Sequence, residues 1–167
     1  MNKVSNIKIF TCGGTFEKVY DPISGELTFK NSIIEELVAI SRVTIPINTE
    51  KIMLIDSLEM NKEHREKASK KIAADPNKFI VLIHGTDTMI ETAKEINLRK
   101  RAEQIVIITG AMVPFALKKS DAFFNFGCAI VALNYVSPGI YIAMNGKILD
   151  FSKAKKNKVL GIFEDVI

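Results

Sequence analysis

Hydroxyl and carboxylate side chains follow one apolar run in quick succession, in the stretch "LIHGTDTMIETA" at residues 82–93. Thr88 with Glu91 three residues later fits a capping box that opens a helix, and the helix dipole would stabilise Asp87 there. Thr86 is left without a structural explanation of this kind. A hydroxyl at a strand end is a candidate nucleophile or ligand donor, and the helix start offers N–H groups to a substrate carboxylate.

Three further apolar runs also end in small or hydroxyl-bearing residues. The first is followed by "TCGGT", with Gly14 and Thr15; "KIML" by "IDSLEM", with Ser57; and "QIVII" by "TGAMVP". Glycines after a strand permit close approach of the backbone to a ligand. Each feature also has a plainer interpretation: a tight turn at Gly14, a loop brace at Ser57, and a hydrogen-bonded scaffold residue at His84. A dinucleotide site is not predicted, because G-x-G-x-x-G is absent.

The lysine-rich stretch "FSKAKKNK" near the end of the chain supplies a candidate base. At face value its lysines, Lys153, Lys155, Lys156 and Lys158, form a solvated basic surface. A lysine that enters a crevice is different, because desolvation disfavours the ammonium and a neutral amine can accept a hydroxyl proton. Asp87 would position that amine. The residues by themselves leave open which of the four lysines enters.

Apolar runs alternate with amphipathic stretches, which predicts the elements that hold these side chains. The predicted strands are "IKIF", "VTIPI", "KIML", "FIVLIHG", "QIVIIT" and "GIYIAM"; the predicted helices are one that a Ser32–Glu35 capping box opens, "NKEHREKASKKIA", 89–98 and 122–133. Residues 16–29 mix turn formers with apolar residues and predict a hairpin or flap. The alternation indicates an α/β fold: one doubly wound domain over residues 1–167, with a mainly parallel sheet and helices on both faces. Ligands of such sheets bind beyond the carboxyl ends of the strands.

The last predicted helix begins at a Ser120–Asp121 pair that is typical of an N-cap. Asn125, inside this helix, is expected to brace a loop through side-chain hydrogen bonds. Phe123, Phe124 and Phe126 are expected in the core.

Composition narrows the function classes. The 167 residues are 47% hydrophobic and 25% charged, as in an ordinary globular protein, and the net charge is +4. This mild charge favours a solvated lysine-rich surface over a nucleic-acid groove, and no segment predicts a membrane span or a signal peptide. Cys12 and Cys128 cannot form a zinc cage, so we predict free thiols in the cytoplasm. No strand end carries a cluster of metal ligands, and we predict neither a metal nor a cofactor.

The strand-end motifs together resemble a known family. "GGT", "DSLEM", "HGTDTM" followed by "ETA", and "TGAMVP…SDAFFN" look like the successive motifs of the bacterial-type L-asparaginases, in family order along roughly the whole chain. The chain also resembles a short, single-domain branch of this family, whose members end in a segment like "YIAMNGKILDFSKAKKNKVLGIFE". The classical enzymes carry a second, C-terminal domain.

The resemblance implies a set of site residues. The catalytic residues it implies are Thr15, Thr86, Asp87, Lys156 and the flap tyrosine Tyr20. The substrate-binding residues it implies are Gly14, Ser57, Gly85 and Ala111. No metal site is implied.

The resemblance also implies an activity: hydrolysis of the side-chain amide of L-asparagine, or of a related small carboxamide, through a threonine nucleophile, in a cytoplasmic homo-oligomer (dimer or tetramer). In the classical family, a neighbouring subunit's second domain completes the site; here a partner subunit's Glu17 or Glu26 is a candidate replacement. Two alternatives stay open: a non-catalytic small-molecule binding domain that keeps the crevice, and an amidase component feeding ammonia to a partner that acts on tRNA. Neither nucleic acid nor membrane is an expected partner of the chain itself.

Overall fold

The computed structural model describes residues 1–166 and builds them into alternating strands and helices. In chain order, the elements are β1 (Ile7–Gly13), β2 (Val19–Asp21), β3 (Glu26–Thr28), α1 (Ile34–Ser41), β4 (Ile47–Ile55), α2 (Lys62–Ala74), β5 (Phe79–Ile83), α3 (Met89–Asn97), β6 (Ile105–Thr109), α4 (Ala122–Ala132), β7 (Gly139–Met144), β8 (Lys147–Asp150), β9 (Ala154–Asn157) and β10 (Ile162–Asp165). A 3₁₀ turn at Thr15–Glu17 follows β1.

Six strands form the central sheet in the order β4-β1-β5-β6-β7-β8. The first five are parallel, and β8 returns antiparallel to β7. The pairs β2–β3 and β9–β10 are separate antiparallel hairpins. This confirms the predicted doubly wound, mainly parallel α/β fold and the predicted hairpin within residues 16–29.

Each face of the sheet is covered by two helices, because alternate side chains of the central strands point to opposite sides. Ile80 and Leu82 of β5 pack with α2 and α3, whereas Val81 and Ile83 pack with α1 and α4. All five residues of β5 and all five of β6 are buried. Continuous burial explains the unbroken apolar runs that predict both strands.

Several predicted details are wrong. "VTIPI" and "KIML" are not two strands: β4 is a single edge strand that begins after Pro46. The two expected capping boxes are absent: Ser32 donates its hydroxyl to Glu17, and Thr88 donates to the Ser57 carbonyl. Both hydroxyls donate to groups distant in the sequence and do not cap the helices that follow them.

The expected core position of two aromatic residues of α4 is also wrong. Phe126 is buried, but Phe123 and Phe124 are 47% and 59% exposed. Three aromatic residues within four positions cannot all point to one side of a helix.

Within the described residues, no helix is long and apolar enough to cross a membrane.

Candidate active site

The ends of β1 and β5 touch through glycine backbones. Gly14 has φ 74°, and a Cβ added there would lie 2.3 Å from the Gly85 Cα, so a side chain would force the two strand ends apart. The Gly14 N–H also donates to the Ile55 carbonyl at the end of β4 (2.9 Å). The half-buried Thr15 follows Gly14, and Thr86 follows Gly85. The two threonine-bearing segments are therefore in backbone contact, as the strand-end arrangement predicts.

Lys156 of β9 reaches into this region and joins two residues that follow β5. Its Nζ lies 2.7 Å from Thr86 Oγ1 and 2.8 Å from Asp87 Oδ1. Only 9% of the Lys156 side chain is exposed, and Asp87 is one-third exposed. The structure thus answers which lysine enters: Lys153, Lys155 and Lys158 are not the ones that contact Thr86.

Two asparagines support the hairpin that carries Lys156. In the β9–β10 register Lys156 lies opposite Phe163, whose N–H donates to the Asn145 side chain (2.8 Å). Asn125, buried in α4, accepts from the Asn145 N–H (3.2 Å) and donates to the Gly110 carbonyl (3.0 Å). The expected bracing role of Asn125 is confirmed, and it links the lysine hairpin to the loop after β6.

Ser57 lies against Gly85, fully buried. A Cβ on Gly85 would stand 2.5 Å from both Cβ and Oγ of Ser57. Within residues 1–166, the Ser57 hydroxyl has no hydrogen-bond partner. A buried hydroxyl without a partner destabilises a fold by about 1–3 kcal/mol, so the packing of the described residues alone does not account for this serine.

His84 is fully buried and hydrogen-bonded on both ring nitrogens, directly before Gly85 and Thr86. Its Nδ1 lies 2.8 Å from the Gly85 carbonyl, and its Nε2 lies 2.8 Å from Thr92 Oγ1. Because a carbonyl only accepts, Nδ1 carries the proton and Nε2 accepts from the threonine hydroxyl. Complete burial lowers the pKa of His84 to about 4, which keeps the ring neutral at pH 7. The predicted scaffold role is confirmed, and Thr92 is a partner that sequence reasoning missed.

The loop after β6 is held by Asp121 at the start of α4. Its carboxylate accepts from the Met112 N–H (3.0 Å) and the Val113 N–H (2.9 Å), instead of capping its own helix. Ala111, near the start of this loop, is buried in the core. Met112 Sδ lies 3.6 Å from Thr86 Oγ1. A substrate-binding role for Ala111 stays a prediction.

An ion pair ties the β2–β3 hairpin to the site. Lys18 Nζ lies 2.6 Å from Asp56 Oδ2, immediately before Ser57. The Lys18 hydrogen bond, with smaller contributions from the Leu58 N–H and from the charges of Lys18 and Lys156, lowers the pKa of the Asp56 carboxyl against the opposing effect of burial. Nothing in the sequence indicates this pair, because its members are 38 residues apart.

The hairpin places Tyr20 on the surface. Tyr20 is 54% exposed and pairs across the hairpin with Leu27. Within the described part of the chain, no hydrogen bond joins it to Thr86 or Lys156, and its catalytic role stays a prediction.

The suggestion that Glu17 reaches a neighbouring subunit's site is wrong. Glu17 is fully buried, and its carboxylate accepts from the Ser32 hydroxyl (3.0 Å) and the Ile33 N–H (2.8 Å). It holds the start of α1 and is not available to a partner subunit. Glu26, on the hairpin, is exposed. Across residues 1–166, no three His, Cys, Asp or Glu side chains cluster as a metal site would require.

Comparison with known proteins points to one family. A family model described as asparaginase, N-terminal, matches residues 6–162. A relative named "Probable L-asparaginase periplasmic", from Haemophilus influenzae, is 31% identical over 170 residues, covering 94% of this chain and 48% of that protein. A solved structure described as a probable cytoplasmic L-asparaginase from Campylobacter jejuni is 32% identical, with a TM-score of 0.82 over 96% of this chain and 53% of that one.

A more distant relative has a different name. It is a component of the glutamyl-tRNA(Gln) amidotransferase of Methanococcus maripaludis, and it is 26% identical over 89% of this chain and 37% of that protein. The chain spans about half the length, or less, of the curated relatives it matches.

Proposed function

This chain belongs to the asparaginase family, and we propose that it is an amidohydrolase that converts the side-chain amide of L-asparagine, or of a related small carboxamide, to the acid and ammonia. One observation carries the proposal: the contact of Lys156 Nζ with both Thr86 Oγ1 and Asp87 Oδ1, at 2.7 and 2.8 Å. A hydroxyl and a carboxylate on adjacent residues, with an amine that a distant segment brings to both, are the parts that an activated nucleophile requires.

The proposed reaction has two steps. A threonine hydroxyl, Thr15 or Thr86, attacks the carboxamide carbon and forms an ester with it, and the nitrogen leaves as ammonia after taking up a proton. Water then cleaves the ester, which restores the threonine and releases the acid. Lys156 carries the proton between these groups because it is within hydrogen-bond reach of Thr86, and Asp87 holds the amine in place.

Substrate binding is assigned to the surroundings of these residues. The Ser57 hydroxyl, buried without a partner among the described residues, is proposed to bind the substrate carboxylate together with the N–H groups at the start of α3. The Gly14 N–H is already bound to the Ile55 carbonyl, so we assign the oxyanion contact to other backbone N–H groups of the segments that meet at Gly14 and Gly85. Such groups stabilise a developing oxyanion when their geometry is fixed in advance.

The proposal is tested by ammonia release from asparagine, glutamine and simple aliphatic amides. We expect the wild type to release ammonia from at least one of them, and both Thr15→Ala and Thr86→Ala to lower the rate by at least about 10³-fold. Thr44→Ala, which alters an exposed threonine before β4, is the matched control and should retain the wild-type rate. Unchanged rates in both site variants would refute the nucleophile assignment. Calorimetric binding of these amides without turnover would favour a non-catalytic binding domain.

A second candidate function is supply of ammonia to a tRNA-dependent amidotransferase. The similarity to a component of the glutamyl-tRNA(Gln) amidotransferase supports it. In that case ammonia release should be slow for the isolated chain and rise when the partner enzyme and its tRNA are added.

We further propose a cytoplasmic location, which the two unpaired thiols and the name of the Campylobacter jejuni relative support.

A further inference from the structure

The hairpin that carries Lys156 is attached to the rest of the protein without strand pairing. Among the described residues, β9 and β10 pair only with each other, and neither joins the six-stranded sheet. The Lys156 amine nevertheless contacts Thr86 and Asp87, which belong to the segment after β5. The position of this amine therefore depends on the contacts that fix the hairpin to the sheet.

Phe163 of β10 makes the closest of these contacts. Its ring is fully buried in the core that also contains residues of β7 and β8. Its backbone N–H donates to Asn145 Oδ1 (2.8 Å), and its carbonyl accepts from Lys147 Nζ (3.2 Å). Both backbone groups of Phe163 thus bind side chains at the turn between β7 and β8, and the hairpin is fixed at this residue.

Lys156 lies directly opposite Phe163 in the β9–β10 register. Residues that face one another across an antiparallel pair send their side chains to the same face and stand about 5 Å apart. A displacement of Phe163 therefore displaces Lys156, whose amine must stay within hydrogen-bond distance of two oxygens at once. A misplacement of about 1 Å in a reacting group is enough to lower a rate about 10²-fold.

The turn between β7 and β8 does not by itself explain the asparagine. Asn145 and Gly146 form a two-residue hairpin turn, and both have positive φ, at 55° and 75°. Asn-Gly is favoured in such turns, but glycine would serve at the first position equally well. The hydrogen bond to the Phe163 N–H, in contrast, requires the oxygen of a side chain.

We propose that Asn145 is a positioning residue for the amide hydrolysis, because its bond to the Phe163 N–H holds Lys156 Nζ against Thr86 and Asp87. The inference rests on the proposed function, since the position of the amine affects the rate only where Lys156 transfers the proton. Lys147 binds the same residue through a long flexible side chain, and its contribution is the smaller one.

Two substitutions at Asn145 separate its side chain from the turn. Asn145→Gly keeps the turn but removes the acceptor for the Phe163 N–H, whereas Asn145→Asp keeps an acceptor oxygen. We expect kcat for ammonia release to fall at least about tenfold in Asn145→Gly, with KM within about threefold, and to stay within about threefold of wild type in Asn145→Asp. Asn97→Gly, at an exposed asparagine that ends α3, is the matched control and should keep the wild-type rate. An equal loss in the glycine and aspartate variants would overturn the proposal.

A double-variant cycle distinguishes positioning of the amine from a general loss of structure. If Asn145 acts only through Lys156, Asn145→Gly should change the residual rate of Lys156→Met by less than about twofold. Equal relative losses in wild type and in Lys156→Met would overturn the proposal.

Acetylation of lysines by an active ester reads the position of the amine without turnover. Lys156 is 9% exposed and paired with Asp87, so it should react slowly, whereas the distant Lys62 is 83% exposed. We expect the Lys156 rate, divided by the Lys62 rate in the same sample, to rise at least about fivefold in Asn145→Gly and to keep its wild-type value in Asn145→Asp. An unchanged ratio in Asn145→Gly would overturn the positioning role even where ammonia release falls. The expected ratios in a protein that hydrolyses no amide would support the contact and refute the proposed function instead.

Discussion

The crevice beyond β1 and β5 and the outer side of α4 depart from ordinary packing in opposite ways. The crevice buries a hydroxyl, Ser57 Oγ, that has no protein hydrogen-bond partner within residues 1–166, whereas α4 exposes Phe124 and Tyr135 to solvent. Folding alone favours neither arrangement, because buried polar groups need partners and apolar rings need cover. The unpartnered hydroxyl agrees with the proposed binding of a polar small molecule at the crevice, whereas the apolar rings of α4 are exposed in the part of the chain that the structure describes.

The largest expected effect is the loss of ammonia release when the amine of Lys156 is removed from the crevice. Lys156→Met keeps the length of the side chain but removes the amine, so ammonia release should fall about 10²- to 10⁴-fold, the range for loss of an acid–base group. Lys158→Met, which alters an exposed lysine two residues later, should leave the rate within about twofold. Steady-state rates of the two variants make the comparison. Equal rates would show that the contact with Thr86 has no part in turnover.

The two sides of α4 should differ in stability. Phe126→Ala removes a fully buried ring and should lower the free energy of unfolding by about 3–5 kcal/mol. Phe124→Ala removes an exposed ring and should change the free energy of unfolding by less than about 0.5 kcal/mol. Urea titrations of both variants measure this. A large loss in Phe124→Ala would mean that the ring stabilises the single chain.

Acid should lower the free energy of unfolding of the protein through the buried His84. The unfolded histidine takes a proton near pH 6.5, and the folded one takes it only near pH 4. The unfolded state therefore binds more protons between these values, and stability falls as pH falls, by about 1.4 kcal/mol per pH unit at most. Urea titrations from pH 7 to pH 4.5 should show this slope in wild type and a shallower slope in His84→Gln. Equal slopes would mean that His84 titrates alike in both states.

The smallest expected effect concerns Ser57. Ser57→Ala removes a buried hydroxyl that no described protein group satisfies, so stability should stay constant or rise by about 1 kcal/mol, while KM for the amide substrate should rise. Thermal melts and steady-state kinetics read the two quantities separately. A loss of stability without a change in KM would make the serine a structural residue.

The sequence predicts the buried strands well and the surface of α4 poorly. β5 and β6 are unbroken apolar runs because helices cover both faces, and such runs leave few alternatives. In α4, apolar residues occur on all sides, so no periodicity distinguishes the buried Phe126 from the exposed Phe124. Hydrophobicity alone therefore predicts a core position for both, and for Phe124 that prediction is wrong.

Within the site, local sequence patterns predict fewer of the observed hydrogen bonds and ion pairs than the long-range contacts of the folded chain account for. The Thr88–Glu91 spacing predicts a cap, but the Thr88 hydroxyl donates to the Ser57 carbonyl (2.8 Å). No local pattern predicts the Lys18–Asp56 pair, since its members lie in different parts of the fold. The family resemblance identifies Lys156 as the site lysine. The local sequence does not, because four lysines occur within one short stretch and no neighbouring residue distinguishes them. Contacts that depend on the folded topology are the ones that the sequence leaves undetermined.

Covalent trapping of the nucleophile tests the central claim most directly, namely that Thr15 or Thr86 attacks a carboxamide with the help of Lys156. The protein would be incubated with an asparagine analogue whose side-chain amide is replaced by an electrophilic carbon, and the digest mapped by mass spectrometry. We expect one adduct per chain, on Thr15 or Thr86, formed at least about 10²-fold more slowly in Lys156→Met. An adduct on another residue, or equal labelling of wild type and Lys156→Met, would contradict the account.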